Sequence, residues 1–307
     1  MNPPPKISVA VAAHNPRQDY FVRCIGGLRN QTLRVSDWEL VVIDNMSTPG
    51  LAESLDLSWH PAGRVVLEDR LGLVFSRCRG FSETKAPIVV NVDDDCVLES
   101  RYLQHVLKLA SEFPFVGVFG AQIRADFEES PTKPPREYYA AERIVTENLW
   151  SNLRESVATT PWGAGSVLRR CVADRYLQRV AQDPRLLELG RRGNSLLSCE
   201  DVDIANAACD LGLGKGVFKD LVITHLIPAS KMTDEFTAAN AYWNTYSAVI
   251  HNFIQFSGIV PARRSWQNRI LTAMRGMFRD RLTRRIMRDE IRAEEAAVRD
   301  LRSRGWI

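Results

Sequence analysis

Through its first 125 residues the chain alternates short, almost uninterrupted apolar runs with amphipathic segments, and few folds accept that order. The runs ISVAVAAH, WELVVIDN, RVVLED, PIVVNVDDD and VGVFGAQI are rich in Val and Ile; between them DYFVRCIGGLRNQ, GLVFSRCRGFSE and RYLQHVLKLASEF carry helical spacing. A strand that is apolar throughout must be covered on both faces, so the pattern predicts the α/β class, a mostly parallel central sheet flanked by helices. In such sheets ligands gather beyond the carboxyl ends of the strands. Polar residues collect at four of those ends: His14 with Asn15, Asp44 with Asn45, Glu68 with Asp69, and Asp93, Asp94 and Asp95 together. One crevice is expected there.

Beyond the alternating part, residues 125–160 turn polar and rich in Pro, Glu and aromatics (FEESPTKPPREYYAAE), which suits an excursion from the sheet or a lid. A β-like, Gly-rich WGAGSVLRR follows, then a helix over 201–211 ending at glycines, then GVFKDLVITHLIP, read as two short strands or a hairpin closed by Pro228. From there to the end the pattern is helical, and no internal repeat is visible. The expected organisation is a catalytic domain over 1–231, with a nucleotide-binding half at about 1–125 and an acceptor-binding half at about 126–231, followed by a helical, Arg-rich region over 232–307.

A net charge of +3 over 307 residues argues against a chain built to hold nucleic acid. The average conceals a tail: residues 263–304 hold thirteen arginines and six acids, which leaves the rest of the chain acidic. The six cysteines fall singly, without zinc-site spacing, and read as reduced thiols. No stretch approaches the roughly 18 apolar residues of a membrane span, so a cytoplasmic address is the default expectation.

Three acids at one strand exit repel one another, and either water or a cation must offset them. Asp93 and Asp95, two residues apart, can offer one carboxylate to a sugar or ribose and another to a divalent ion bridging a diphosphate. Each candidate has a bland reading of its own. A lone DxD is also a solvated acidic turn, Asp44 a turn or cap residue, Glu200 and Asp201 helix-cap carboxylates, and His225 a structural histidine.

Taken in order, these pieces resemble the inverting family 2 glycosyltransferases of the GT-A fold, which is Rossmann-like. The resemblance covers 7–231 through SVAVAAHN, ELVVIDNMST, GLVFSRCRGF, VNVDDDCVL, GAGSVLRR, CEDVDIANAACDLG and THLIP. It implies that Ala13, Asn15, Asp44, Arg77, Asp93 and Asp94 serve the nucleotide-sugar, and that Asp95 and His225 hold Mn²⁺ or Mg²⁺. It further implies that Asp201 is the base beside Glu200, and that Trp162, Gly163, Ala164 and Gly165 face the acceptor. The implied activity is transfer of a single sugar, with inversion, from a nucleotide-sugar, a uridine diphosphate sugar being preferred. The acceptor would be a hydroxyl of a glycan or lipid-linked molecule, as in polysaccharide biosynthesis. Two departures stand out: Asn45 follows Asp44 where many relatives have a second acid, and Arg77, Cys78, Arg79 and Gly80 stand where many have Arg-Asn-x-Gly. The Gln-x-x-Arg-Trp signature of processive synthases is absent after the base, hence one sugar per event. The rival readings are a non-catalytic nucleotide-sugar-binding scaffold and a sugar nucleotidyltransferase; the latter expects a basic Gly-rich loop where AAHNPRQD stands.

In the tail, Trp266, Ile270, Met274, Phe278, Leu282 and Ile286 recur every four residues. That spacing overshoots a 3.6-residue turn and winds the apolar stripe around a helix. Packing on the catalytic domain, peripheral contact with the inner face of the cell membrane and self-association are all compatible with it.

Overall fold

The computed structural model describes residues 4–134, 141–193, 195–256, 258 and 279–307. Strands β1 (Ile7–Ala13), β2 (Trp38–Asp44), β3 (Gly63–Leu67) and β4 (Ile88–Asp93) are parallel, in the spatial order β3-β2-β1-β4. Helix α1 (Gln18–Arg29) follows β1, α2 (Leu73–Glu83) follows β3, and α3 (Tyr102–Glu112) follows the short β5 (Cys96–Leu98). Every residue of β2 is buried, as expected of a strand covered on both sides.

The second half completes the sheet with β6 (Val116–Phe127), β7 (Leu149–Ser151), β8 (Val167–Arg169) and β9 (Gly214–Ile227). Strand β8 runs antiparallel between β4 and β6, while β6 and β9 are parallel. The fold class is therefore as the sequence predicts, mixed α/β with a mostly parallel core. One expectation needs correcting. GVFKDLVITHLI is neither a hairpin nor two strands but part of the single strand β9, which Pro228 follows and whose register against β6 shifts between Ala121 and Gln122. Lys219 and Asp220 look like a turn, yet they sit in a bulge, pinned by Asn148 Oδ1 on the Lys219 amide and by His105 Nδ1 on the Asp220 carbonyl. The straight run lets one strand carry β7 near its start and β5 near its end.

Helices cover both faces. Phe21, Cys24 and Leu28 of α1 and Leu103, Val106 and Leu109 of α3 pack against one side. Val74 and Phe81 of α2, Val172 and Tyr176 of α4 (Arg170–Gln182) and Ile204 and Ala208 of α5 (Glu200–Asp210) pack against the other. The segment after β6 does leave the sheet, but it returns through an Ile123–Arg143 bridge and through β7, which pairs with β9.

Among the described residues, two further helices, α6 (Asp234–Gln255) and α7 (Arg281–Ser303), follow the sheet. Each has a side-chain N-cap: Thr233 accepts from the Phe236 amide and Asp280 from the Thr283 amide. Such caps contribute about 1 kcal/mol each. Val249, Ile250 and Phe253 of α6 pack on Ala297 and Leu301 of α7 and on Leu186 and Leu189. The tail's apolar positions at Leu282 and Ile286 are half-buried; Trp266, Ile270, Met274 and Phe278 lie outside the described residues.

Candidate active site

The strand ends of β1 and β4, the start of α5 and the end of β9 open onto one cavity of about 640 Å³. Ala13, Asp93, Asp94, Asp95, Trp162, Gly163, Ala164, Glu200, Asp201 and His225 all line it. Residues as far apart as 13 and 225 in the sequence therefore meet through topology, not through local proximity.

One wall is built by pairing β5 with β9. Antiparallel register sets Cys96 opposite His225, and the Leu226 amide donates to the Asp95 carbonyl at 2.9 Å. This brings His225 Nε2 to 3.5 Å from Asp95 Oδ2, and Lys231 Nζ to 3.1 Å from the same oxygen. Burial alone would raise the Asp95 carboxyl, but the His225 hydrogen bond and the Lys231 ammonium hold it well below the usual carboxylate range. Cys96 Sγ lies with them, 3.4 Å from Asp95 Oδ1. Burial pushes its thiol well up, so it stands there as a neutral donor and not as a thiolate. A carboxylate and an imidazole at this separation are a hard-oxygen and nitrogen pair that suits Mn²⁺ or Mg²⁺, and the cation already on Asp95 Oδ2 shows that the position favours positive charge.

The other wall is the first turn of α5. Cys199 just before it adopts a left-handed φ of 83°, which turns Glu200 and Asp201 inward. Asp201 Oδ2 accepts from the Gly163 amide at 3.1 Å and Oδ1 from the Val202 amide at 2.8 Å. Gly163 packs closely here: a Cβ there would stand 3.2 Å from an Arg77 guanidinium nitrogen, a tight contact, and 3.5 Å from the Asp201 Cβ. Gly190, at φ +94°, likewise closes against the Glu200 carboxylate. Arg77 is buried beneath both walls and donates to Asp93 Oδ1 at 2.5 Å. Burial, then the charge of Asp201, push Glu200 up to about 8, with Arg77 opposing. Asp201 is raised by burial too, but the two backbone amides pull the other way.

Between the walls, burial and then the charges of Asp95 and Asp93 push Asp94 up to about 7. The three acids thus coexist because one pairs with Arg77, one with His225 and Lys231, and the middle one holds its proton more readily.

The remaining sequence candidates sit elsewhere. Asp44 is buried and does not line the cavity; its two oxygens accept from the Ser47 and Leu51 amides, the turn-forming alternative of the sequence reading. Its neighbour Asn45 lines the cavity instead. Asn15, at φ 45°, is tied to Ser47 and Thr48 and lines a smaller adjoining pocket. Gly165 lies behind the wall, its carbonyl accepting from Tyr102 Oη and its amide donating to Asn91. Lys231, Arg191 and Arg192 line the cavity and were missed by sequence reasoning. A lysine six residues beyond His225 was the one available signal for the first of them.

A mostly parallel sheet with an acid-lined cavity at its strand ends is the arrangement of GT-A glycosyltransferases. Residues 8–177 match the family described as glycosyl transferase family 2, and the chain belongs to that family. It is a glycosyltransferase. The glycosyltransferase AglE of Haloferax volcanii is 22% identical over 224 residues, spanning 72% of this chain and 67% of that protein. The mannosyltransferase PcManGT from Pyrobaculum calidifontis, solved in complex with GDP-Man and Mn²⁺, matches 97% of this chain and 75% of its own at a TM-score of 0.55 and 18% identity. S. aureus TarS 1-349 in complex with UDP-GlcNAc matches 96% and 92% at a TM-score of 0.50 and 13% identity. At these identities the two structures establish a shared fold.

Proposed function

We propose that this chain is a divalent-metal-dependent, inverting transferase that moves one sugar from a nucleoside diphosphate donor to an acceptor hydroxyl. The observation that carries the reading is the convergence, on one cavity, of the Asp95–His225 pair and the Asp201 carboxylate. Asp95 and His225 would hold Mn²⁺ or Mg²⁺, which when bound offsets the charge left on the departing diphosphate. Two structural neighbours were solved with GDP-Man and Mn²⁺ and with UDP-GlcNAc, in keeping with a donor of this class and a metal of this kind. A uridine diphosphate sugar remains the preferred donor, and a glycan or lipid-linked hydroxyl the preferred acceptor.

Asp201 takes the proton from the acceptor hydroxyl as that oxygen bonds to the anomeric carbon and the carbon–phosphate oxygen bond breaks. The two amides on Asp201 fix its oxygens without neutralising them, which leaves lone pairs for the incoming proton. Arg77 orients Asp93 toward the ribose or sugar, and Trp162 and Gly163 border the acceptor side. A single displacement of this kind inverts the anomeric centre. On this reading the described helices α6 and α7 are an appendage to the catalytic domain.

Donor turnover to nucleoside diphosphate, followed with Mn²⁺ and with chelator, tests metal dependence. Proton NMR of the first-formed product tests the stereochemistry. Turnover unaffected by chelator, or a product with the donor's anomeric configuration, overturns the reading.

A further inference from the structure

Asp95 Oδ2 faces two nitrogens at once, His225 Nε2 at 3.5 Å and Lys231 Nζ at 3.1 Å. The lysine ammonium therefore stands on the oxygen that a dication bridging Asp95 and His225 would need. Lys231 rides on a short helical turn, Ala229–Lys231, just past the Pro228 that ends β9. That turn is held from outside the cavity: the Ala229 amide donates to Glu128 Oε2 at 2.8 Å. The backbone is thus anchored, while Lys231 lines both the main cavity and the adjoining pocket of about 170 Å³.

An ammonium and a dication on one carboxylate oxygen repel each other, so the two exclude one another at Asp95. Lysine suits such an exchange because its charge is compact and its stem rotates freely, unlike a planar guanidinium locked in a fork. The displaced ammonium also has somewhere to go. A diphosphate entering the cavity gives it a new anionic partner within reach of the same anchored turn.

We propose that Lys231 is an exchangeable internal cation: it neutralises Asp95 in the empty protein and transfers its ammonium to the donor diphosphate when the metal takes that oxygen. This rests on the metal role assigned above to Asp95 and His225. Metal and nucleotide binding are then coupled. The metal alone must evict Lys231 into water, whereas metal with diphosphate leaves both cations paired. Reciprocity requires that the metal tighten nucleotide binding by the same factor.

Mn²⁺ titrations read by electron paramagnetic resonance, without nucleotide and with UDP or GDP as the probe, test this on the full chain. In the wild type, nucleotide should tighten Mn²⁺ binding by about tenfold or more. Lys231→Met should bind Mn²⁺ alone about tenfold more tightly than wild type, with the nucleotide enhancement reduced by about the same factor. Lys231→Arg keeps the charge and should restore weak binding in the absence of nucleotide. Equal Mn²⁺ affinity and equal nucleotide enhancement in wild type and Lys231→Met overturn the exchange while leaving the metal site standing. Failure of all three proteins to bind Mn²⁺, with or without nucleotide, overturns both the metal role of Asp95 and His225 and the exchange built on it.

Discussion

Asp95 and Glu200 are carboxylates of the same cavity, both largely withdrawn from water, and the structure shifts them in opposite directions. Asp95 is held well below the usual carboxylate range, whereas Glu200 is pushed up to about 8. Burial acts the same way on both. What differs is the partners: Asp95 has the His225 imidazole and the Lys231 ammonium on one oxygen, while Glu200 shares the buried Arg77 with Asp93 and Asp201. The wall proposed to hold the metal keeps a negative charge and the wall proposed to carry the base favours holding or accepting a proton, the division of labour that the proposed displacement of a diphosphate by a hydroxyl would require.

Substitutions that erase the contrast should have graded effects. Asp201→Asn removes the proton acceptor but keeps the shape, and should lower turnover by about 10²- to 10⁴-fold with nucleotide affinity retained, as read by nucleoside diphosphate release and by calorimetry. An equal loss of nucleotide affinity would make Asp201 a binding group instead. Arg77→Met strips the shared cation from three carboxylates and should cost about 3–5 kcal/mol of stability in denaturant titration, since Arg77 is buried and ion-paired.

Glu200→Gln mimics the protonated side chain, so at neutral pH it should perturb turnover far less than Asp201→Asn. Its signature lies in pH dependence. Because the folded value of about 8 exceeds the ordinary 4.5, this group makes wild-type stability fall as pH rises from 4.5 through 8, the window in which folding must take up a proton that is increasingly scarce. Melting curves at about pH 5 and about pH 8.5 should show a smaller drop for Glu200→Gln than for wild type. An identical drop in the two proteins would remove Glu200 from the account. The smallest effect concerns the tail, where peripheral contact with an anionic membrane is a proposal. Reversing the exposed Arg284, Arg288 and Arg292 of α7 should abolish flotation with anionic liposomes, each arginine contributing about 1 kcal/mol near the surface. Equal failure of wild type and variant to float removes membrane contact.

Much of this was legible in the sequence where a pattern is local. Apolar runs and helical spacing fixed the strands and helices of the first half, and the acids at their ends marked the cavity. His225 and Asp95 were also paired in advance, though only through the order of motifs. What escaped depends on contacts distant in sequence. Lys231 meets Asp95 across 136 residues, by way of the β5–β9 pairing, and no periodicity encodes that. Asp44 was ambiguous for a different reason: the same carboxylate can serve a ligand or a turn, and only the positions of the Ser47 and Leu51 amides decide. The bulge in β9 misled because Lys-Asp within an apolar run has the composition of a turn without reversing the chain.

The most direct test of the divided cavity is pulsed electron paramagnetic resonance of Mn²⁺ bound together with UDP or GDP. The account predicts coupling to one imidazole nitrogen in wild type and in Asp201→Asn, lost in His225→Asn. Bound Mn²⁺ without nitrogen coupling, or coupling that survives in His225→Asn, would contradict it.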